Sequence, residues 1–265
     1  MTLILTEISN FGIAMAADSA VTITIDTENG TQRRVLTGVN KLQVINKLNA
    51  GIAIWGLGEL TIEHGHKIDT DVWLHNFIQA ERANYNSLLE FATLLQNKIR
   101  THVAPINTTR RPLGNIGFHL AGYVQHEGHP TPTFYHIHNG ESQALAARRI
   151  TIDPTLVNAN HDLPPDLVRQ ILAQGQSYLT RNGDFTIYAA LFNHIGEFLE
   201  GLSEYNGMTI PQSRNLIERA EWLRFQIKTM SELYRLSNLH LPTIGGKIDT
   251  LLITPNGVDD CGLTF

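Results

Sequence analysis

Cysteine is almost missing from this sequence. The one thiol, Cys261, has no intrachain partner, which excludes a disulfide framework and points to a reducing compartment. No His stands beside it in the DDCGL tail to activate it, so it is no candidate nucleophile. Long hydrophobic runs are missing too: no stretch approaches the roughly 18 apolar residues that a membrane span requires. Nor does a basic segment followed by an apolar core and a small-residue cleavage site open the chain. These absences predict an untargeted, soluble, cytoplasmic protein with no membrane partner. Basic clusters are lacking as well; Lys and Arg are scattered through a chain of net charge −5, which argues against a nucleic-acid partner. What is present, 42% hydrophobic and 17% charged residues, is the balance of a globular chain and excludes disorder. No repeat, low-complexity run or long linker divides the 265 residues, so one domain over 1–265 is expected.

Twelve His residues invite a metal reading, above all His64 and His66 in EHGH, His126 and His129 in HEGH, and His136 and His138 in YHIHNG. On a strand His136 and His138 share one face, a two-ligand arrangement. The spacing implies no third ligand, and neither a metal nor a cofactor is expected.

Strand patterning fills the first 60 residues. MTLILTEI and FGIAMAADSAVTITI flank a turn of Ser9, Asn10 and Gly12, predicting a hairpin. GIAMAA is apolar at every position, as in a strand covered on both faces. KLQVI and GIAIWG predict a second hairpin around Asn46 to Ala50. Helical periodicity follows Gly58: Val72, Trp73, Phe77 and Ile78 form one stripe, and Leu88, Leu89, Phe91, Ala92, Leu95 and Ile99 another. Two helices are expected between about residues 60 and 103, the second with Ser87 and Glu90 as a capping box. GNIGFHLAGYV and TPTFYHIHNG predict a third hairpin. Beyond Pro164 and Pro165 the pattern predicts a short helix, a longer one from residues 185–190 through Leu202, and a third opened by Pro211 and running through Leu236. KIDTLLITPNGV closes as a strand and turn. Segregated blocks of strands and helices predict an α+β fold of antiparallel sheets with helices outside them.

Hairpin geometry brings the second residue to a carboxylate. With the turn near Asn10, paired residue numbers sum to about 20, which sets Thr2 opposite Asp18 within one position of register. Asp18 ends an apolar strand, where a carboxylate needs a partner, and Lys41 is the nearest candidate cation. A Thr hydroxyl is a poor nucleophile until a base takes its proton. Once Met1 is removed, the α-amine of Thr2, with an ordinary pKa of about 7.7–8, can serve as that base. Lys41, oriented by Asp18, would lower the cost of negative charge on the Thr oxygen. A tetrahedral intermediate also needs a donor for its oxyanion, and Gly56, where the second hairpin passes toward the first helix, can supply a backbone N–H.

In this order the motifs resemble the proteasome β-subunit family of N-terminal nucleophile (Ntn) hydrolases, with bacterial relatives such as the HslV peptidase and the Anbu proteins. The resemblance is carried by MT at the start, GIAMAADSAVT, the Lys of NKLQVI, AIWGLGEL, HLAGYV, TFYHIHNG and TIGGKIDTLLITPNGV, and by the sixteen-residue step from Thr2 to Asp18. It implies a four-layer sandwich of two antiparallel sheets between helix layers. It also implies Thr2 as nucleophile, Asp18 and Lys41 as supporting pair, Gly56 as oxyanion donor, and Thr22 and Ile54 as substrate-binding positions. The expected activity is a threonine peptidase cleaving peptides or unfolded protein inside a homo-oligomeric ring or related assembly, any unfoldase partner being undetermined.

The sequence departs from the family at four places, one of them the length of residues 141–183, longer than in a typical member. Ala20 replaces an Arg-containing turn after AspSer. LPTIGG stands for an Asp-X-X-Ser-Gly-Gly element, with Leu241 and Ile244 at the Asp and Ser positions and Thr243 one residue away from the latter. The family's Gly-Ser-Gly turn has no clear counterpart, Ser177 being only a remote substitute. Two further readings follow: a non-catalytic assembly subunit of the same fold, and an amidohydrolase acting on a small amide.

Overall fold

The alternation of large apolar residues along MTLILTEIS sets the architecture, because successive side chains enter different cores. The computed structural model describes residues 2–27, 30–62, 66–102, 116–138, 165–183, 213–237 and 243–260, with Tyr188, Leu191, Phe192, His194 and Gly201. Strands β1 (Leu3–Ser9) and β2 (Gly12–Asp18) form a hairpin whose fourteen residues are all buried. β1 is flanked by β11 (Tyr178–Gly183), and β2 by β12 (Ile248–Thr254) and then β13 (Gly257–Asp260). The second sheet runs β10 (His129–His138), β9 (Ile116–His126), β6 (Ala50–Gly56), β5 (Leu42–Ile45). Every pairing in both sheets is antiparallel.

Three apolar clusters order the elements. Ile4, Ile8, Ile13, Met15, Leu251 and Ile253 of the first sheet meet Leu42, Ala53, Ala121 and Phe134 of the second. Helix α3 (Pro165–Ala173) closes this interior with Val168. The other face of the second sheet, with Ile52, Ile54, Phe118, Leu120 and Ile137, is covered by α1 (Thr70–Ala80) and α2 (Leu88–His102). Leu3, Leu5, Ala14, Ala16 and Leu252 look the opposite way, onto α4 (Leu216–Leu236). Each fully buried Leu or Ile contributes about 1.5–3 kcal/mol. A one-residue slip of β1 would therefore exchange two cores at once. The fold is α+β with antiparallel sheets.

Several sequence expectations are refined. The first helix begins later than expected: β7 (Glu59–Thr61) and β8 (Lys67–Asp69) are antiparallel strands, tied by the Lys67–Glu59 ion pair at 2.6 Å, and α1 starts at Thr70. The third late helix starts at Leu216 rather than Pro211, because the Asn215 side chain accepts from Glu218 N at 2.9 Å and caps it there. VTITI turns away from the first hairpin; β3 (Val21–Thr27) pairs with β4 (Gly30–Leu36) in its own two-stranded sheet. Strand β11 has no expectation to set beside it. Ser87 accepts from Glu90 N at 3.2 Å, but the return bond to Glu90 comes from Asn86 N rather than Ser87 N. Most of the helix expected through Leu202 lies outside the described residues, as do Met1, His64, Leu241 and Cys261.

Candidate active site

The β1–β2 register runs from Ile4↔Ala17 to Ser9↔Gly12, so paired numbers sum to 21 around the turn Asn10–Phe11. Thr2 thus extrapolates one residue past Asp18, and the Asp18 side chain covers the offset. Its Oδ1 accepts from Thr2 Oγ1 at 2.6 Å, Leu3 N at 2.9 Å and Lys41 Nζ at 2.8 Å. Its Oδ2 accepts from Ala20 N at 3.1 Å and Gly245 N at 3.0 Å. Five donors on one buried carboxylate make ionised Asp18 a satisfied group, and only an ionised carboxylate accepts at both oxygens without donating.

Lys41 enters from the start of β5. Its carbonyl accepts from Ile54 N at 2.9 Å, tying the lysine to the strand that carries Ile54 and Gly56. Its Nζ donates to Thr2 Oγ1, Asp18 Oδ1 and Ala20 O, which uses all three ammonium protons. Burial lowers the Lys41 pKa from its ordinary value, and the Asp18 carboxylate opposes that shift. The Thr2 hydroxyl therefore donates to a carboxylate and accepts from an ammonium, in a site where Thr2, Asp18 and Lys41 are each at most 3% exposed.

A small pocket opens on this group, lined by Thr2, Val21, Val39, Lys41, Ile54, Gly56, Thr70 and Asp71 among others. Its volume is about 10 Å³, room for roughly one water. Gly56 lies on it with φ +94°, a conformation that suits glycine. Ile54 is on the wall, whereas Thr22 is not; its neighbour Val21 takes that place. Val39, Thr70 and Asp71 carry no sequence signature for this role. Asp71 is fixed by accepting from Asn40 N at 2.9 Å, and Thr70 Oγ1 donates to Leu57 O at 2.8 Å.

The LPTIGG segment serves the site through its backbone. Ile244 is buried against α4 instead of facing Thr2. Gly245 brackets the Asp18–Ser19 step, its N–H on Asp18 Oδ2 and its carbonyl accepting from Ser19 N at 3.1 Å. Gly246 has φ +75°, and a Cβ there would stand 2.4 Å from Ser19 Oγ and 3.2 Å from Thr37 Cβ. Ser177 is not at the site; it accepts from Arg219, which is paired with Glu7 at 2.7 Å on the α4 side of β1.

His136 and His138 do share a face of β10, with rings stacked at 4.2 Å, and His119 of β9 meets His136 edge-on at 5.1 Å. His119, fully buried, lies 3.0 Å from Thr6 Oγ1 and 2.6 Å from Asn182 Oδ1, and burial pushes its pKa down to about 3. Asn182 Oδ1 only accepts, so Nε2 carries the proton and Nδ1 accepts from Thr6. His126 faces Asp166 at 3.8 Å. Among the described residues no three His, Cys, Asp or Glu side chains are placed to hold a metal ion. None of the described helices is long and apolar enough to cross a membrane.

No family model matches the chain, and no curated protein matches it. Among solved structures it is similar to an Anbu mutant from Hyphomicrobium sp. strain MC1, with 12% identity over 100% of this chain and 85% of that one, at a TM-score of 0.42. A likeness of that size carries no functional weight, which rests on the geometry around Thr2.

Proposed function

We propose that this chain is a threonine hydrolase of the proteasome-like Ntn class, its sheets and helices forming that class's four-layer sandwich, and that it cleaves peptide bonds. One observation carries the reading: a buried Thr2 hydroxyl held between the Asp18 carboxylate and the Lys41 ammonium. After Met1 is removed, the Thr2 amine takes the hydroxyl proton as Oγ attacks the substrate carbonyl carbon. Lys41 stabilises the developing negative charge on Oγ, and the Gly56 N–H receives the oxyanion. The amine returns its proton to the leaving nitrogen as the C–N bond breaks, and water then hydrolyses the acyl-Thr2 ester. Thr22 and Ile54 would contact the substrate, and homo-oligomeric assembly would enclose the site.

A second reading keeps the Thr2 nucleophile and makes the substrate a small amide rather than a peptide. Turnover of small amides with no cleavage of unfolded protein supports it over the peptidase. The test of the class is intact-mass analysis before and after a Thr-directed electrophile. We expect loss of Met1 and one adduct that Thr2→Ala does not form. A native product that keeps Met1 and takes no adduct makes the chain a non-catalytic subunit, and hydrolysis undiminished in Thr2→Ala overturns the assignment of Thr2.

A further inference from the structure

Trp55 separates Ile54 from Gly56 on β6 and lines the same pocket as Thr2. Its indole lies flat over Gly117, the residue paired with it on β9: a Cβ there would stand 2.3–2.5 Å from three indole atoms. The indole N–H donates to His136 Nε2 at 3.1 Å. His136 is paired with His119 across β9–β10, and the His119 ring meets it at 5.1 Å and 89°. His119 in turn is held by Thr6, on the strand that follows Thr2, and by Asn182 of β11, which pairs with Ile4. Hydrogen bonds of His119 with Thr6 and Asn182, the edge-on contact of the His119 and His136 rings, and the Trp55–His136 bond thus connect the nucleophile's strand to the strand that presents Gly56. Apart from these contacts the interior between the sheets is dominated by aliphatic and aromatic packing. The His119 bonds to Thr6 and Asn182 cross between the sheets and fix direction as well as spacing, whereas the Trp55–His136 bond lies within the second sheet and spans β9 from β6 to β10.

We infer that His136 is a positioning residue: by accepting from the Trp55 indole it fixes the end of β6, and so aims the Gly56 N–H relative to Thr2 Oγ. The inference rests on the hydrolase reading above. An indole nitrogen only donates, so His136 Nε2 is unprotonated in this arrangement and the ring carries its proton on Nδ1. The stacked His138, itself paired with Gly117, limits rotation of the His136 ring. Gly117 is the steric requirement of the same device, since any side chain there expels the indole. A misaimed oxyanion donor weakens binding of the transition state and leaves ground-state binding alone, so the brace acts on kcat and not on KM.

The test compares His136→Phe, which keeps a ring and loses the acceptor, with His136→Gln, whose Oε1 reaches the position of Nε2. Trp55→Phe removes the donor. We expect His136→Phe to lower kcat and the rate of Thr2 labelling by about tenfold with KM unchanged, a fraction of the 10²–10³ that follows loss of an oxyanion donor. His136→Gln should recover to within about threefold, and Trp55→Phe combined with His136→Phe should add nothing to either alone, since all remove one bond. The indole ¹H–¹⁵N resonance assigned to Trp55 by its absence in Trp55→Phe should move in His136→Phe and not in His136→Gln. Labelling of His136→Phe at the wild-type rate, equal loss in the Phe and Gln variants, or an unmoved indole resonance overturns the positioning role. A wild-type chain that takes no adduct overturns the hydrolase reading itself, a result distinguishable from all of these.

Discussion

Replacing Asp18 by Asn keeps the shape of the side chain and removes its charge, and the geometry around the carboxylate says what that costs. All five of its partners donate to it: Thr2 Oγ1, Leu3 N and Lys41 Nζ at Oδ1, and Ala20 N and Gly245 N at Oδ2. An amide has one accepting end and one donating end, so neither orientation is tolerated. With its NH₂ in the Oδ2 position it faces the backbone N–H groups of Ala20 and Gly245, and with its NH₂ in the Oδ1 position it faces Leu3 N–H and Lys41. Either way two buried donors lose their acceptor, at about 1–3 kcal/mol each. In both orientations the Lys41 ammonium, 4% exposed, also loses its counter-charge. Removing one member of a buried pair costs about 3–5 kcal/mol, a figure that overlaps the first rather than adding to it. The expected destabilisation at pH 7 is about 4 kcal/mol by urea unfolding.

The variant should also acquire a signature in pH. Burial lowers the Lys41 pKa from 10.5, and Asp18 is the largest influence opposing that. Without Asp18 the folded value falls further, while the unfolded chain keeps the ordinary one. Between the two values the unfolded state binds more protons, so stability rises with pH, and below the folded value the deficit is constant. The gap between Asp18→Asn and wild type should therefore narrow from pH 7 to pH 9. Adding Lys41→Met, which discards the stranded charge, should recover part of the loss, giving a coupling of about 2 kcal/mol in the double-mutant cycle. An Asn variant within about 1 kcal/mol of wild type at pH 7, or a pH-independent deficit with zero coupling, would refute the charged Asp18–Lys41 pair.

Two more perturbations test the surrounding framework. His119 has its folded pKa depressed to about 3 against an unfolded 6.5, so its contribution is present above 6.5 and lost as pH falls toward 3; at pH 4.5 the loss relative to pH well above 6.5 is about 2.7 kcal/mol. Urea unfolding should show that extra acid loss in wild type and not in His119→Gln, and equal losses would sink the assignment. Gly246→Ala places a Cβ 2.4 Å from Ser19 Oγ at φ +75°, and should cost about 1–3 kcal/mol from strain and crowding together. A midpoint equal to or above that of wild type would show that the turn does not need glycine.

The hairpin and its carboxylate were legible because both are consequences of alternation and turn length: once the turn is placed at Asn10 the register leaves Thr2 and Asp18 within one position. Lys41 was legible as the nearest cation ahead of the strand LQVI, whereas Ile54 entered only through the family resemblance. The groups that complete the site were not. Leu3, Ala20 and Gly245 serve Asp18 with backbone N–H groups, and a backbone donor has no residue-type signature. The strands at 59–61 and 67–69 were hidden because three residues span less than one helical turn and little more than one strand period, and Leu60 and Ile68 fit a helical stripe as well as a pleat. Pro211 signalled a helix start that Asn215 captures farther on, since a side-chain cap that bonds Glu218 N fixes the first turn more locally than a favourable φ does. His119 was invisible as part of a brace because its partners Thr6 and Asn182 lie 113 and 63 residues away.

The departure at LPTIGG separates two tasks that a side-chain motif would perform together. Support of Asp18 needs only N–H groups directed at Oδ2, and Gly245 supplies one whatever stands at position 244, provided Gly246 can turn. Orientation of a freed Thr2 amine is different: it needs side-chain acceptors near the nitrogen, and Ile244 faces the α4 core instead. On the hydrolase reading the nucleophile is thus well held, while position 244 offers the base that must take its proton no side-chain acceptor. General-base assistance contributes about 10²–10⁴-fold to such a reaction, so a correctly processed chain can turn over slowly with its Thr2–Lys41–Asp18 geometry complete. Slow turnover would then say little about whether Thr2 is the nucleophile. Covalent labelling of Thr2 separates the cases, because one attack on a strong electrophile asks the amine to take a single proton and needs no second proton transfer to a leaving amine.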